Sequence, residues 1–144
     1  ALFAVKGQSH LDEVCRRFGV SSLYQFGSRT AEVAARVRGE AVASELPDSD
    51  VDVGVAPLPG RLMATKERVQ LAVALEDLLT VPRVDLVTLP EADHFLAVEV
   101  IRGEPLHCVG ATAQAEEELY ILRRAGDLAP LKRERLAHGA NLRA

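Results

Sequence analysis

Tryptophan is absent from this chain, methionine occurs once, and aromatic residues make up only 4% of it. So few flat side chains argue against a single-strand nucleic-acid platform, which needs rings on which bases can stack. Positive charge is also in deficit. The formal net charge is −4, whereas a dedicated nucleic-acid binder is normally basic. The two cysteines, Cys15 and Cys108, lie far apart without metal-type spacing. That excludes a disulfide framework and predicts core thiols in a reducing compartment. No apolar run approaches the length of a membrane span. No signal peptide is expected, because Ala1-Leu2-Phe3-Ala4-Val5 is too short and lacks a cleavage site. The expectation is a cytoplasmic protein. His10, His94, His107 and His138 are scattered without ligand spacing, so surface or capping positions are expected for them.

What is present is more specific. The run Asp48-Ser49-Asp50-Val51-Asp52-Val53-Gly54-Val55 alternates acids with valines. A period-two strand turns alternate side chains to one face. Asp50 and Asp52 then point one way, and the valines point into a core. Two adjacent carboxylates repel unless a positive group lies between them, and a hard divalent cation with oxygen ligands is the usual solution. Upstream, the strand-like Leu23-Tyr24-Gln25-Phe26 runs into Gly27-Ser28-Arg29. Glycine lets a backbone approach an anion, and a serine hydroxyl with the N–H groups of a following helix can hold phosphate oxygens. Downstream, Val84-Asp85-Leu86-Val87 is an apolar strand interrupted by one acid. A phosphate cradle with three carboxylates suits metal-assisted nucleotidyl transfer.

The remaining pattern supplies the frame. Ser9 is expected to cap a first helix with Asp12 reaching back. Leu11, Val14, Cys15 and Phe18 form its apolar stripe, and Gly19 ends it. Strands are expected over 22–26, 51–56 and 84–89, with a short fourth over 106–109. Helices are expected over 30–38, 61–80, 92–101 and 112–124, with a turn at 45–49. In the long helix over 61–80, Leu62, Val69, Val73, Leu75, Leu78 and Leu79 are expected to face inward. Gly126-Asp127 is expected to break the C-terminal helix before a basic one over 130–142. At 144 residues there is enough chain for one small core. The fold class is α/β (α+β): a small mixed β-sheet with helices packed on one side and a helical C-terminal extension. The expected division is a domain over 1–110 and an extension over 111–144.

The set Phe26-Gly27-Ser28-Arg29, Arg38-Gly39-Glu40-Ala41, Ser49-Asp50-Val51-Asp52-Val53 and Val84-Asp85-Leu86-Val87 resembles the minimal nucleotidyltransferases of the polymerase-beta-like superfamily. Ile101-Arg102-Gly103-Glu104-Pro105-Leu106 and the tail with Leu122-Arg123-Arg124 fit as well. The resemblance spans nearly the whole chain and implies the nucleotidyltransferase fold. It implies catalytic and metal-binding roles for Asp50, Asp52 and Asp85, with two magnesium ions. Gly27 and Ser28 would grip the phosphates of ATP, and Arg29 or Arg38 would offset charge on the departing pyrophosphate. One departure is the stretch from Arg29 to Ser49, about twice the family's usual length. A longer helix and loop there leaves the site intact; a displaced Ser28 does not.

Small members with a helical tail are similar to antitoxins paired with HEPN-type ribonuclease toxins. The resemblance then implies transfer of AMP from ATP to a tyrosine hydroxyl of the toxin, in a hetero- or homo-oligomer. Two alternatives stay open. One is a non-catalytic antitoxin acting by contact alone. The other is a small-molecule nucleotidyltransferase of the aminoglycoside-modifying kind, although such enzymes generally carry a larger acceptor-binding domain.

Overall fold

The computed structural model describes the backbone of residues 2–27 and 50–143, and the side chains of residues 7–27 and 50–127. The chain runs α1 (Leu2–Arg17), β1 (Val20–Phe26), β2 (Val51–Pro57), α2 (Thr65–Leu79), β3 (Val84–Thr88), a 3-10 turn (Leu89–Glu91), α3 (His94–Ile101), β4 (Glu104–Cys108) and α4 (Ala111–Arg143). The expected helix over 30–38 and the turn at 45–49 lie outside the described residues. The strands form one mixed sheet in the order β3-β2-β1-β4. β1 is antiparallel to β2 and to β4, and β2 is parallel to β3. The expected α/β class with a small mixed sheet is therefore what the chain adopts.

Alternation along β2 decides the layering. Val51, Val53 and Val55 enter one core with Leu11 and Cys15 of α1 and Leu71, Leu75 and Leu79 of α2. Each such fully buried aliphatic contributes about 1.5–3 kcal/mol relative to exposure. Asp52, Gly54 and Ala56 occupy the other face. There a second core joins Tyr24 and Ala56 to Val98 and Val100 of α3 and Ile121 of α4. The expectation of helices on one side is corrected here: α1 and α2 cover one face, and α3 and α4 pack on the other. A β-bulge between Val20 and Ser22 lets Val20 and Leu23, three residues apart, share the first core.

Several local expectations differ. α1 already runs at Leu2, so Ser9 lies inside the helix and does not cap it. α2 begins at Thr65, with the Glu67 carboxylate accepting from the Ala64 N–H at 3.3 Å. Leu62, Val69 and Val73 are exposed, while Leu71, Leu75 and Leu79 face the core. α3 begins after Asp93, whose carboxylate accepts from the N–H groups of Phe95 and Leu96 at 2.9 Å each. An N-cap of this kind contributes about 1 kcal/mol. β4 starts two residues earlier than expected, at Glu104.

The C-terminal helix is unbroken through Gly126-Asp127 and Pro130. A helix-interior glycine costs only about 1 kcal/mol. Helical continuity on both sides outweighs that locally, so the expected stop is overridden. α4 is tied to the sheet by Tyr24, whose hydroxyl donates to Glu118 Oε2 at 2.8 Å and accepts from Gln114 Nε2 at 3.2 Å. Burial, more than its acidic neighbours, holds the Tyr24 phenol well above its ordinary range.

Cys15 is buried as expected, and burial next to Asp12 pushes its thiol up to about 12. Cys108, expected in the core, is exposed, because the sheet ends at it. His107 corrects the surface expectation. It is only 7% exposed, and its Nδ1 lies 2.7 Å from Asp12 Oδ1. That oxygen also accepts from Gln8 Nε2 at 2.9 Å. The cluster clips α1 onto β4.

Candidate active site

β1, β2 and β3 bring the sequence motifs together at one end of the sheet. Phe26 is paired with Asp52 across the antiparallel β1–β2 ladder. Asp52 is in register with Asp85 across the parallel β2–β3 ladder. Registered partners in neighbouring strands turn their side chains to the same face. Val51 and Val84, one residue earlier in each strand, fill the core behind. Burial of this apolar layer thus fixes the register and places two acids side by side on the opposite face.

Asp50 lies just before β2 and is exposed. Partial burial raises the Asp52 carboxyl above its ordinary value, and the charges of Asp85 and then Asp50 raise it further. Asp52 therefore feels the charge of both other acids.

Gly27 completes this end. Its φ of +93° is a backbone state that glycine adopts freely and other residues rarely do. A Cβ placed there would sit 3.1 Å from Asp52 Oδ2. The turn leaving β1 is thus pressed against the acid, and a side chain there would force the Asp52 carboxylate to give way by a few tenths of an ångström. Ser28, Arg29 and Arg38, the other expected nucleotide-binding residues, lie outside the described residues.

Two further glycines set the packing behind the site. Gly54, two residues after Asp52 on the same face, lets α3 approach β2, since a Cβ there would collide with the Val100 side chain. Gly103 allows close approach to the Gln25 carbonyl in the same way.

Sequence reasoning passed over one charged neighbour. Arg83, just before β3, places Nε and Nη2 each 3.1 Å from Asp85 Oδ1. The signal was legible: a basic residue two positions before an acid in a strand shares its face. The donor set suits a hard divalent cation, because it consists of carboxylate oxygens. Among the described residues, however, no three His, Cys, Asp or Glu side chains are gathered closely enough to hold an ion. Asp85 is turned toward Arg83 instead.

No protein-family model and no curated protein sequence matches this chain. Solved structures do. A toxin–antitoxin complex with AMP-PNP contains a chain with a TM-score of 0.65 and 22% identity; the match covers 95% of this chain and 98% of that one. A mutant MntA-HpeT toxin–antitoxin structure gives a TM-score of 0.65 at 21% identity, with the same coverage of 95% and 98%. A tri-AMPylated HEPN toxin from Shewanella oneidensis in complex with its MNT antitoxin gives 0.62 at 21% identity, covering 98% and 99%. The four-strand mixed sheet with its helices and these likenesses agree on a nucleotidyltransferase-like fold. Among the described residues no helix is long and apolar enough to cross a membrane.

Proposed function

We propose that this chain, with its nucleotidyltransferase-like fold, transfers AMP from ATP to a hydroxyl of a partner protein and serves as the antitoxin of a HEPN-type ribonuclease toxin. The observation that carries the reading is the register of Asp52 with Asp85 beside the Gly27 turn. The AMP-PNP complex and the AMPylated toxin among the similar structures support the nucleotide and the acceptor.

In this reading Asp50 and Asp52 hold magnesium, and Asp85 completes the second ion's set or takes the acceptor proton. Magnesium, when bound, supplies charge for the triphosphate and lowers the pKa of the attacking hydroxyl. The chain's own part is alignment and charge placement. Gly27 and Ser28 hold the terminal phosphates by backbone and hydroxyl groups. Arg29 or Arg38 offsets the charge growing on pyrophosphate. Oxygen from the acceptor attacks the α-phosphorus, the α–β bridging bond breaks, and pyrophosphate leaves. Positioning of this kind accounts for much of the rate in such transfers.

Residues 111–144 serve in this proposal as the extension that meets the toxin. Leu119, Tyr120 and Leu122 are exposed along α4, and Tyr24 fixes the helix to the site-bearing sheet. The free cysteines agree with a cytoplasmic setting.

One observation favours the contact-only alternative: Asp85 is engaged by Arg83, and among the described residues the three acids do not close into a group that could hold an ion. Incubation of the chain with ATP, magnesium and a HEPN-type toxin separates the two. Intact-mass and peptide mass spectrometry should show AMP on a toxin tyrosine. An unmodified toxin in a stable complex would establish the contact-only reading.

A further inference from the structure

Arg83 is a residue that the proposed chemistry leaves unused. Its backbone is fixed, because its carbonyl accepts from the Val51 N–H at 3.0 Å and so joins β3 to β2 beside the acids. Its side chain is not held so firmly. It is 67% exposed, against 40% for Asp85. Two nitrogens of the guanidinium converge on a single oxygen, Asp85 Oδ1. A carboxylate whose oxygen is committed to a cation attracts a second cation less strongly.

We infer that Arg83 is a built-in counter-cation of the carboxylate site, which holds Asp85 in the nucleotide-free chain and yields it when metal and triphosphate arrive together. The inference rests on the nucleotidyltransferase reading of Asp50, Asp52 and Asp85. A divalent ion arriving alone must displace the guanidinium and leave it without an anion. An ion arriving on a nucleotide brings phosphate oxygens, which match the planar fork of arginine. The exchange is then one anion for another and costs little. Arg83 is on this account a positioning residue. It couples metal loading to nucleotide loading and keeps the acids from capturing free metal.

The test is a manganese titration of the full chain, followed by the electron paramagnetic resonance of free Mn2+, with and without a non-hydrolysable ATP analogue. Arg83→Gln should bind Mn2+ alone roughly fivefold more tightly than wild type, the upper end for an exposed ion pair. The difference should shrink when the analogue is present. In an Asp85→Asn background, Arg83→Gln should bring no tightening, because the competition has no object. Arg83→Gln binding Mn2+ alone no more tightly than wild type overturns the inference. Asp52→Asn keeps the two claims apart. If it removes Mn2+ binding and Arg83→Gln fails to tighten it, the role of Arg83 falls alone. If it leaves Mn2+ binding unchanged, the carboxylate reading falls and takes this inference with it.

Discussion

Asp52→Asn should make the folded chain more stable at neutral pH while ending nucleotide transfer. Burial, then Asp85, then Asp50 raise the Asp52 carboxyl above its ordinary value of 3.8. Ionising it therefore costs the folded state more than the unfolded one. The stability associated with the protonated acid is fully present below the unfolded value and is lost as pH rises through the raised folded value. At pH 7 the wild type carries the whole penalty, and the amide variant carries none.

Asp52 is only partly buried, so solvent screening limits the gain to about 0.5–1 kcal/mol. For a chain of this size, that is a rise of about 2–4 °C in melting temperature. Urea denaturation from about pH 4 to about pH 8 is the assay, and the difference between variant and wild type should narrow toward the acid end. A variant less stable than wild type at neutral pH, or an advantage that grows as pH falls, refutes the reasoning. It would mean that the acids do not crowd one another at this end of the sheet.

Three further substitutions probe the frame around the site. Gly54→Ala drives a methyl into Val100 and should cost about 1–3 kcal/mol in urea denaturation; the cost should be partly recovered when Val100→Ala opens the space. Gly27→Ala imposes a side chain at φ +93° and 3.1 Å from Asp52 Oδ2. It should lower stability by about 1 kcal/mol and weaken ATP binding in calorimetry, and unchanged affinity would detach the turn from nucleotide binding. Tyr24→Phe removes the hydrogen bond to Glu118, worth about 1 kcal/mol. Amide exchange along α4 should then accelerate ahead of exchange in β1, and uniform rates would show that the tether is not what holds the helix.

The strands were legible because β2 writes its two faces in alternate letters, valine toward the core and acid or small residue toward the site. The pairing of Asp52 with Asp85 was legible in kind, since each follows a core valine at a strand start, although register is a tertiary fact. Helix ends were harder. Gly126 looked like a stop, but its local penalty is small beside the continuity of a long helix. Ser9 looked like a start, but the chain before it is already helical. Val69 and Val73 are hydrophobic enough to suggest the inner face, yet Leu71, Leu75 and Leu79 take it and leave them outside. His107 has its partner, Asp12, in a distant helix, which no local spacing announces. Arg83 shares a face with Asp85 two residues on, but the sequence does not fix which way its long side chain turns.

The central claim is that the acids at this end of the sheet direct attack at the α-phosphorus of ATP. Its most direct measurement uses two labels, one on the α-phosphate and one on the γ-phosphate, with magnesium and a HEPN-type toxin as acceptor. The account predicts that the α-label alone moves to the toxin, and that Asp52→Asn stops it without unfolding the chain. Transfer of the γ-label, or α-label transfer that persists in Asp52→Asn, contradicts it.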